Sequence, residues 1–230
     1  MLLMNSTPRT RERVSDARLI VISSIIGIAA CLGDLVMTYL LGTWYPGYKP
    51  FLQPMSDLGD GGSPVARLTS NWWMIMGLMF VIFGYGFYRT FSHQGKPART
   101  AAWMIAVYGL GEGLGSGLVP GTPGNDFWTP NSIVHNILGG FGVLAVVLLP
   151  FFIMKIFNAR QAPYLYWYSW FTTVTGIFFF LLFSISRLYQ PEAGWITYQG
   201  LWQRLFMLMY YLFLICLAML MLNRRKTAAV

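Results

Sequence analysis

Three ionisable residues, Asp34, Glu112 and His135, lie inside stretches of sequence that are otherwise apolar and long enough to cross a lipid bilayer. A charged side chain at the centre of a membrane helix costs about 2.5–3.5 kcal/mol on insertion scales, so such residues usually have a polar partner or a function. Carboxyl and imidazole groups can exchange protons or contribute to a metal site. These three residues are therefore the first candidates for catalysis.

The composition predicts the class of fold that positions them. Hydrophobic residues make up 56% and charged residues 10% of the 230 residues, whereas soluble domains carry about 25% charged residues. We therefore predict an all-α polytopic membrane protein. Each apolar segment can cross about 30 Å of hydrocarbon. The predicted six-transmembrane-helix bundle has spans at 19–41, 70–91, 100–119, 131–157, 164–186 and 200–222.

The basic residues predict the orientation of this bundle. Twelve of the sixteen lysines and arginines lie in two tails, 1–18 and 223–230, and in the second and fourth connections. Cytoplasmic segments carry an excess of these residues, so both termini are predicted to be cytoplasmic, with 19–222 forming the membrane domain. The net charge of +8 then reflects topology, and nucleic acid is not expected as a partner. The expected location is the plasma or inner membrane of the cell.

Helical rise places the three ionisable residues at similar depth in the outer half of the membrane. Asp34 and Glu112 lie about 10 Å, and His135 about 6 Å, from the outer ends of their segments. Pairing His135 with either acid would give a proton-handling couple or a partial metal site. Alternatively, each acid bonds a Ser, Asn or Trp of a neighbouring helix and only fixes the packing. The residues indicate no particular cofactor.

The segment around Glu112 is rich in glycine at helical spacing. Glycines that repeat every fourth residue remove side chains from a helix face, so that a neighbouring backbone can approach closely. We expect close packing of the third helix between its neighbours, and the alternative is that glycine backbone lines a ligand cleft. The two series are Gly109, Gly113 and Gly117, and Gly111 and Gly115.

The outer connections supply further polar residues at the same side of the membrane. Ser56 and Asp57 could cap a turn or offer oxygens to a cation or headgroup. Two arginines at outer helix ends could neutralise an acid or hold a phosphate or carboxylate bidentately. Asn131 shares a helix face with His135, and a loop could fold Asp126 over that histidine. The candidate ligand-binding residues are Ser56, Asp57, Asp126, Asn131, Arg187 and Arg204.

An ordered set of motifs resembles a known family. An acid late in the first helix is followed by Pro-Gly-Tyr at 46–48, by Ser-Asp-Leu-Gly-Asp-Gly-Gly-Ser-Pro at 56–64 and by Val-Pro-Gly at 119–121. The order is similar to that of the prokaryotic membrane family called domain of unknown function 998, over roughly 19–222, and is distantly like the Frag/DRAM/Sfk six-helix group, some of which are linked to lipid handling. The matching residues are Ser56, Leu58, Gly59, Pro120, Asp126 and His135.

Three functions are compatible with these observations. The first is a protein that binds or handles a lipid or amphiphile at a polar site in the outer half of the bilayer. The second is an intramembrane hydrolase or transferase, with His135 as general base and a carboxylate orienting it. The third is a proton- or cation-coupled carrier in which Asp34 and Glu112 titrate, and a carrier of this size would require a homo-oligomer. Membrane lipids are the expected partners, and the first function is preferred.

Overall fold

The structure is a computed structural model that describes residues 8–122, 128–189 and 194–228, with side chains from Asp16 to Arg224 within those ranges. Every regular element in these ranges is helical, so the predicted all-α class is confirmed. The helix α1 begins inside the predicted basic tail. The long helices are α1 (Pro8–Thr43), α2 (Ala66–Phe91), α3 (Lys96–Tyr108), α4 (Pro130–Ile156), α5 (Pro163–Tyr189) and α6 (Gln199–Ala228).

The third helical stretch changes its hydrogen-bond pattern halfway along. Helix α3 continues directly into a π-helix, Gly109–Gly115, and then into one α-helical turn, Ser116–Leu118. We call the whole of 96–118 the α3 stretch. A π-helix closes its hydrogen bonds from residue i to i+5, which widens the turn. It occurs mostly as short segments inside α-helices, frequently at functional sites. Glu112 is the central residue of this widened segment.

Five helices are long and apolar enough to cross a membrane, among the residues searched: α1, α2, α4, α5 and α6. Only 28–50% of the residues in their most apolar windows are buried inside the structure. Large apolar side chains such as Ile22, Leu78 and Phe178 are therefore exposed. An apolar outer surface of this extent is stable in lipid, and the protein is of the multi-pass membrane class.

The helices form a ring in chain order. Each of α1 to α6, with the α3 stretch taken as one unit, packs against the next, and α6 packs against α1. The connections after α2 and α4 lie at one end, which we call the basic end. The described segments 44–65, 119–122 and 194–198 lie at the other end, which we call the loop end.

The glycines of the α3 stretch face its two neighbours. A Cβ built on Gly113 would lie 2.7 Å from the backbone nitrogen of Gly77 in α2, and one built on Gly117 would lie 2.7 Å from the carbonyl oxygen of Ser70. On the other side, a Cβ on Gly111 would lie 2.7 Å from the backbone nitrogen of Gly142 in α4. Only glycine permits such close contact between backbones. The contacts match the expectation of close packing, and they hold the segment that carries Glu112 in place.

One half of the ring interior is solid and the other half is hollow. Between α1, α2, α3 and α6 the core contains Phe80, Phe83, Tyr108 and Tyr211, each 0–1% exposed. Between the α3 stretch, α4, α5 and α6 there is a cavity of about 470 Å³. The loop end covers this cavity with a short 3-10 helix, Met55–Leu58, and with the segment at 121–122.

Candidate functional site

The cavity is polar at the loop end and apolar toward the middle of the bundle. Its apolar part is lined by residues of α4, α5 and α6, namely Val143, Leu144, Val147, Phe180, Phe183, Phe206 and Met207. Its polar part is lined by Ser56, Asp60, Glu112, Thr122, Ser132, His135, Asn136, Arg187 and Gln203.

Helix α4 shows this change of polarity along one face. The lining residues Ser132, His135, Gly139, Val143 and Val147 are three or four positions apart, so they share a face. The face runs about 22 Å from Ser132 to Val147, at 1.5 Å per residue. The same order holds in α5, where Arg187 is nearest the loop end and Phe183 and Phe180 lie one and two turns away.

The π-helix and a glycine of α4 together place Glu112 at the cavity. A Cβ on Gly139 would lie 3.0 Å from one carboxylate oxygen of Glu112 and 3.2 Å from the Ser116 hydroxyl, so the absent side chain makes room for both groups. Within the described part of the chain, the carboxylate of Glu112 receives no hydrogen bond. Glu112 is therefore an acid that lines the cavity without a donor of its own.

His135 has one ring nitrogen fixed by the backbone. Its Nδ1 lies 2.7 Å from the carbonyl oxygen of Val119. A carbonyl oxygen can only accept, so Nδ1 carries the proton and donates it. The neutral ring then keeps its lone pair on Nε2, which makes Nε2 the nitrogen able to accept a proton or a hydrogen bond from a ligand.

Asp34 belongs to a hydrogen-bond network that joins four helices. One carboxylate oxygen accepts from Trp72 Nε1 at 2.9 Å, and the other accepts from the Tyr211 hydroxyl at 2.8 Å. The Tyr211 hydroxyl accepts in turn from Tyr108 at 3.1 Å. Both carboxylate oxygens of Asp34 thus have donors, one from α2 and one from α6. This is the arrangement that the alternative interpretation of Asp34 predicts.

Asp34, Glu112 and His135 nevertheless line one common space. A void of about 20 Å³ between the solid and hollow halves is bounded by all three residues. A space of this size holds about one water molecule. Glu112 and His135 also line the large cavity, and Asp34 does not.

Two acids of the connection after α1 lie at the polar end. Asp57 forms an ion pair with Arg187 at 3.2 Å, and the two side chains are 18% and 16% exposed. Burial raises the pKa of Asp57, and Arg187 opposes that change. Burial and the neighbouring Asp57 raise the pKa of Asp60 to about 7, again opposed by Arg187.

Of the remaining predicted site residues, two lie away from the cavity and one lies outside the described residues. Arg204 does not line the cavity, and its guanidinium donates to the carbonyls of Pro50 and Gly200 and to the Tyr48 hydroxyl, so it holds the loop in place. Asn131 is exposed and lies off the cavity. Asp126 lies outside the described residues.

The candidate residues chosen from the sequence omitted five polar residues that line the cavity: Asp60, Thr122, Ser132, Asn136 and Gln203. Ser132 lies one turn before His135 on α4, and Asn136 directly follows it. Both could have been found from their spacing to that histidine. Gln203 accepts a hydrogen bond from the backbone nitrogen of Met55 at 2.5 Å, and nothing in its surrounding sequence distinguishes it from other polar residues at helix ends.

The fold and the site together define a multi-pass helical membrane protein with an amphipathic cavity between its helices. The chain belongs to the family described as Protein of unknown function (DUF998), whose model matches residues 28–220. The resemblance to the family called domain of unknown function 998 is therefore confirmed. No curated protein and no solved structure matches the chain significantly.

Proposed function

We propose that the protein binds an amphiphilic molecule, a lipid or lipid-like compound, in the cavity between the α3 stretch, α4, α5 and α6. The observation that supports this most is the separation of polarity along the cavity. The polar lining near Arg187 and His135 would take a headgroup, and the apolar lining near Val147 and Phe180 would take a chain. A volume of about 470 Å³ lies within the range of about 300–1,000 Å³ typical of ligand sites.

The proposed topology has six spans, with both termini in the cytoplasm of the plasma or inner membrane. The α3 stretch would be the sixth span, because 96–118 rises about 34 Å when helical. Its pairing with α2 and α4 on both sides supports a position inside the bundle. With the basic end cytoplasmic, the headgroup region would lie in the outer half of the bilayer.

A lateral opening between α4 and α5 would let the ligand enter from the membrane. Gly140 and Leu144 line the cavity and are also exposed, and Leu144 is 52% exposed. The two helices remain in contact near the basic end, where the Phe151 and Trp170 rings lie 6.2 Å apart. The two other candidate functions require more than this cavity. A hydrolase or transferase would need a nucleophile activated by His135, and a coupled carrier would need Asp34 and Glu112 to titrate during transport.

The test introduces a large side chain at Gly140 to block the proposed opening of the cavity. A Cβ at this position has no neighbour within 4 Å, so Gly140→Phe is expected to fold and to place a ring at the opening. Native mass spectrometry of protein extracted in mild detergent should show a retained lipid in the unchanged protein and its loss in Gly140→Phe. The matched control is Ile137→Phe, at an exposed position of the same helix that does not line the cavity. Equal lipid retention in both variants would contradict the proposal.

A further inference from the structure

We infer that the polar end of the cavity selects an amphiphile with a cationic headgroup, an amine or quaternary ammonium, over one with an anionic headgroup. This inference rests on the proposed function and narrows its ligand class. It follows from the charges that surround the polar end and from the hydrogen bonds those charges lack.

The charges at the polar end are unbalanced toward negative. Arg187 is the only lysine or arginine among the described residues that line the cavity, and it forms an ion pair with Asp57. Asp60 and Glu112 line the same cavity, and neither forms an ion pair with a described residue. The arrangement therefore holds two carboxylates beyond the one that Arg187 neutralises.

Asp60 is the stronger of these two sites. It is only 8% exposed, and no described group donates a hydrogen bond to its carboxylate. The backbone holds it in place, because Gly61 donates to the carbonyl of Gly121 at 3.1 Å, joining the two loop segments that cover the cavity. A Cβ on Gly121 would lie 2.6 Å from a carboxylate oxygen of Asp60. The glycine therefore leaves the space in which the carboxylate lies.

Glu112 adds a second carboxylate from a different element. It lies in the π-helix of the α3 stretch, whereas Asp60 belongs to the connection after α1. A buried carboxylate without a partner is unfavourable, and a cation placed near it recovers part of the lost hydration energy. An ammonium group that enters the polar end would face acids from two sides.

An anionic headgroup would meet the opposite conditions. A phosphate or carboxylate would face Asp60 and Glu112 as like charges and would compete with Asp57 for Arg187. Like charges placed together across a binding interface disfavour binding. The neutral amides of Asn136 and Gln203 fit either kind of headgroup and do not offset this difference.

The experiment compares three amphiphiles with the same fourteen-carbon chain: tetradecyltrimethylammonium, tetradecanol and tetradecanoate. Full-length protein in neutral detergent micelles is given equal amounts of all three at about pH 8, where the pKa of about 7 leaves Asp60 mainly ionised. Native mass spectrometry then counts the bound adducts by mass. We expect the ammonium compound to bind more tightly than the carboxylate by at least about tenfold, because two acids favour the ammonium group.

Two variants test the source of this preference. Asp60→Asn and Glu112→Gln should each lower the affinity for the ammonium compound about tenfold relative to the affinity for tetradecanol. Asp16→Asn, an exposed acid paired with Arg89 at the basic end, is the control and should change nothing. If one variant fails to fold, the other variant and the three-ligand comparison on the unchanged protein still decide.

The outcomes separate this inference from the proposed function. Equal binding of the three compounds, or a preference for tetradecanoate, would overturn the charge selection and leave amphiphile binding in place. An ammonium preference that survives both substitutions would also overturn it, because the acids would not be its cause. Binding of none of the three, together with no retained lipid, would instead contradict the proposed function itself.

Discussion

At the scale of single residues, Asp34 and Glu112 are both acids inside apolar helices, yet their surroundings differ. Asp34 accepts hydrogen bonds from Trp72 and Tyr211 and lies at the boundary between the solid and hollow halves of the ring. Glu112 has no donor among the described residues and faces the cavity. A buried polar network stabilises a unique packing only when every member has a partner. These surroundings favour a structural role for Asp34 and leave Glu112 as the acid that we propose faces the ligand.

The Asp34 network predicts a stability effect at Tyr211. Tyr211→Phe removes a donor to a carboxylate and the acceptor of the Tyr108 hydroxyl. Loss of such a bond should lower the free energy of unfolding by about 1–3 kcal/mol. Thermal unfolding in neutral detergent should show a lower midpoint for Tyr211→Phe. Tyr85→Phe, whose hydroxyl bonds only the exposed Arg89 among the contacts described, should leave the midpoint nearly unchanged. Equal midpoints for the two variants would contradict a structural role for this network.

Asp60 predicts how stability depends on pH. Its pKa is about 7 in the folded protein and about 3.9 in an unfolded chain. Between these values the folded state holds a proton that the unfolded state has released, so this group's contribution to stability decreases as pH rises from about 4 to about 7 and stays low above that. The raised pKa of Asp57 acts in the same direction, and the nearby Arg187 opposes both.

The measurement compares the protein with Asp60→Asn, which cannot titrate. At about pH 8 the variant should have the higher thermal midpoint. The two midpoints should converge as the pH falls to about 4, where Asp60 is protonated in both the folded and the unfolded state and is neutral like Asn. The comparison cancels the pH effects of all other groups. A constant difference between the two proteins over this range would show that Asp60 does not titrate as described.

At the scale of the elements, the glycines of the α3 stretch determine how closely α2 and α4 approach. Gly113→Ala would place a Cβ 2.7 Å from the backbone nitrogen of Gly77 and 2.9 Å from the carbonyl oxygen of Trp73. Overpacking against backbone costs about 1–3 kcal/mol, which exceeds the gain of up to about 1 kcal/mol in helix propensity. We therefore expect a lower thermal midpoint.

The same substitution at an open glycine is the control for this prediction. Gly140→Ala has no atom within 4 Å of its new Cβ, so only the propensity gain remains and the midpoint should rise or stay constant. A lower midpoint for Gly140→Ala than for Gly113→Ala would contradict the packing described for the α3 stretch.

The glycine faces were predictable from the sequence, but the π-helix was not. A repeat of every fourth residue shows which positions lack side chains, and the structure places one series against α2 and the other against α4. The change to i to i+5 bonding between Gly109 and Gly115 depends on the tertiary contacts on both sides. The direction in which Glu112 points follows from that change, so it could not be derived from helical spacing alone.

At the scale of the whole molecule, the proposed six-span topology predicts the side of each connection. His93 lies between α2 and the α3 stretch and is exposed, and Asn131 lies after that stretch and is exposed. In a protein with Cys31 and Cys216 replaced by Ala, an impermeant thiol reagent should label Asn131→Cys in intact cells. It should label His93→Cys only after permeabilisation. Asn158→Cys, in the connection after α4, should behave like His93→Cys.

A different labelling pattern would identify a five-span topology. If 96–118 does not cross the membrane, positions 93 and 131 lie on the same side and both variants label under the same condition. Asn158→Cys would then label from the side opposite to both. The charge distribution predicts the first pattern, because the connections after α2 and α4 are both basic.

The arrangement of helices around the ring sets the limit of what the sequence could reveal about the site. Helical rise gave a depth for Glu112 and His135, and both line the cavity. Depth does not specify the side of the ring, and Asp34 lies at the boundary with the solid half. Arg204 was grouped with Arg187 because both lie at helix ends, but only Arg187 lines the cavity.

The proposed opening beside Gly140 and Leu144 would face the surface that these helices present to lipid. A ligand that enters there would pass directly from the bilayer into the cavity without crossing water. The concentration that governs binding would then be the mole fraction of the amphiphile among the lipids of the bilayer. Occupancy would then depend on how much of the bilayer the amphiphile makes up, and diluting the cells or the vesicles in buffer would leave it unchanged. Affinities measured in micelles are comparable only at a fixed ratio of amphiphile to detergent.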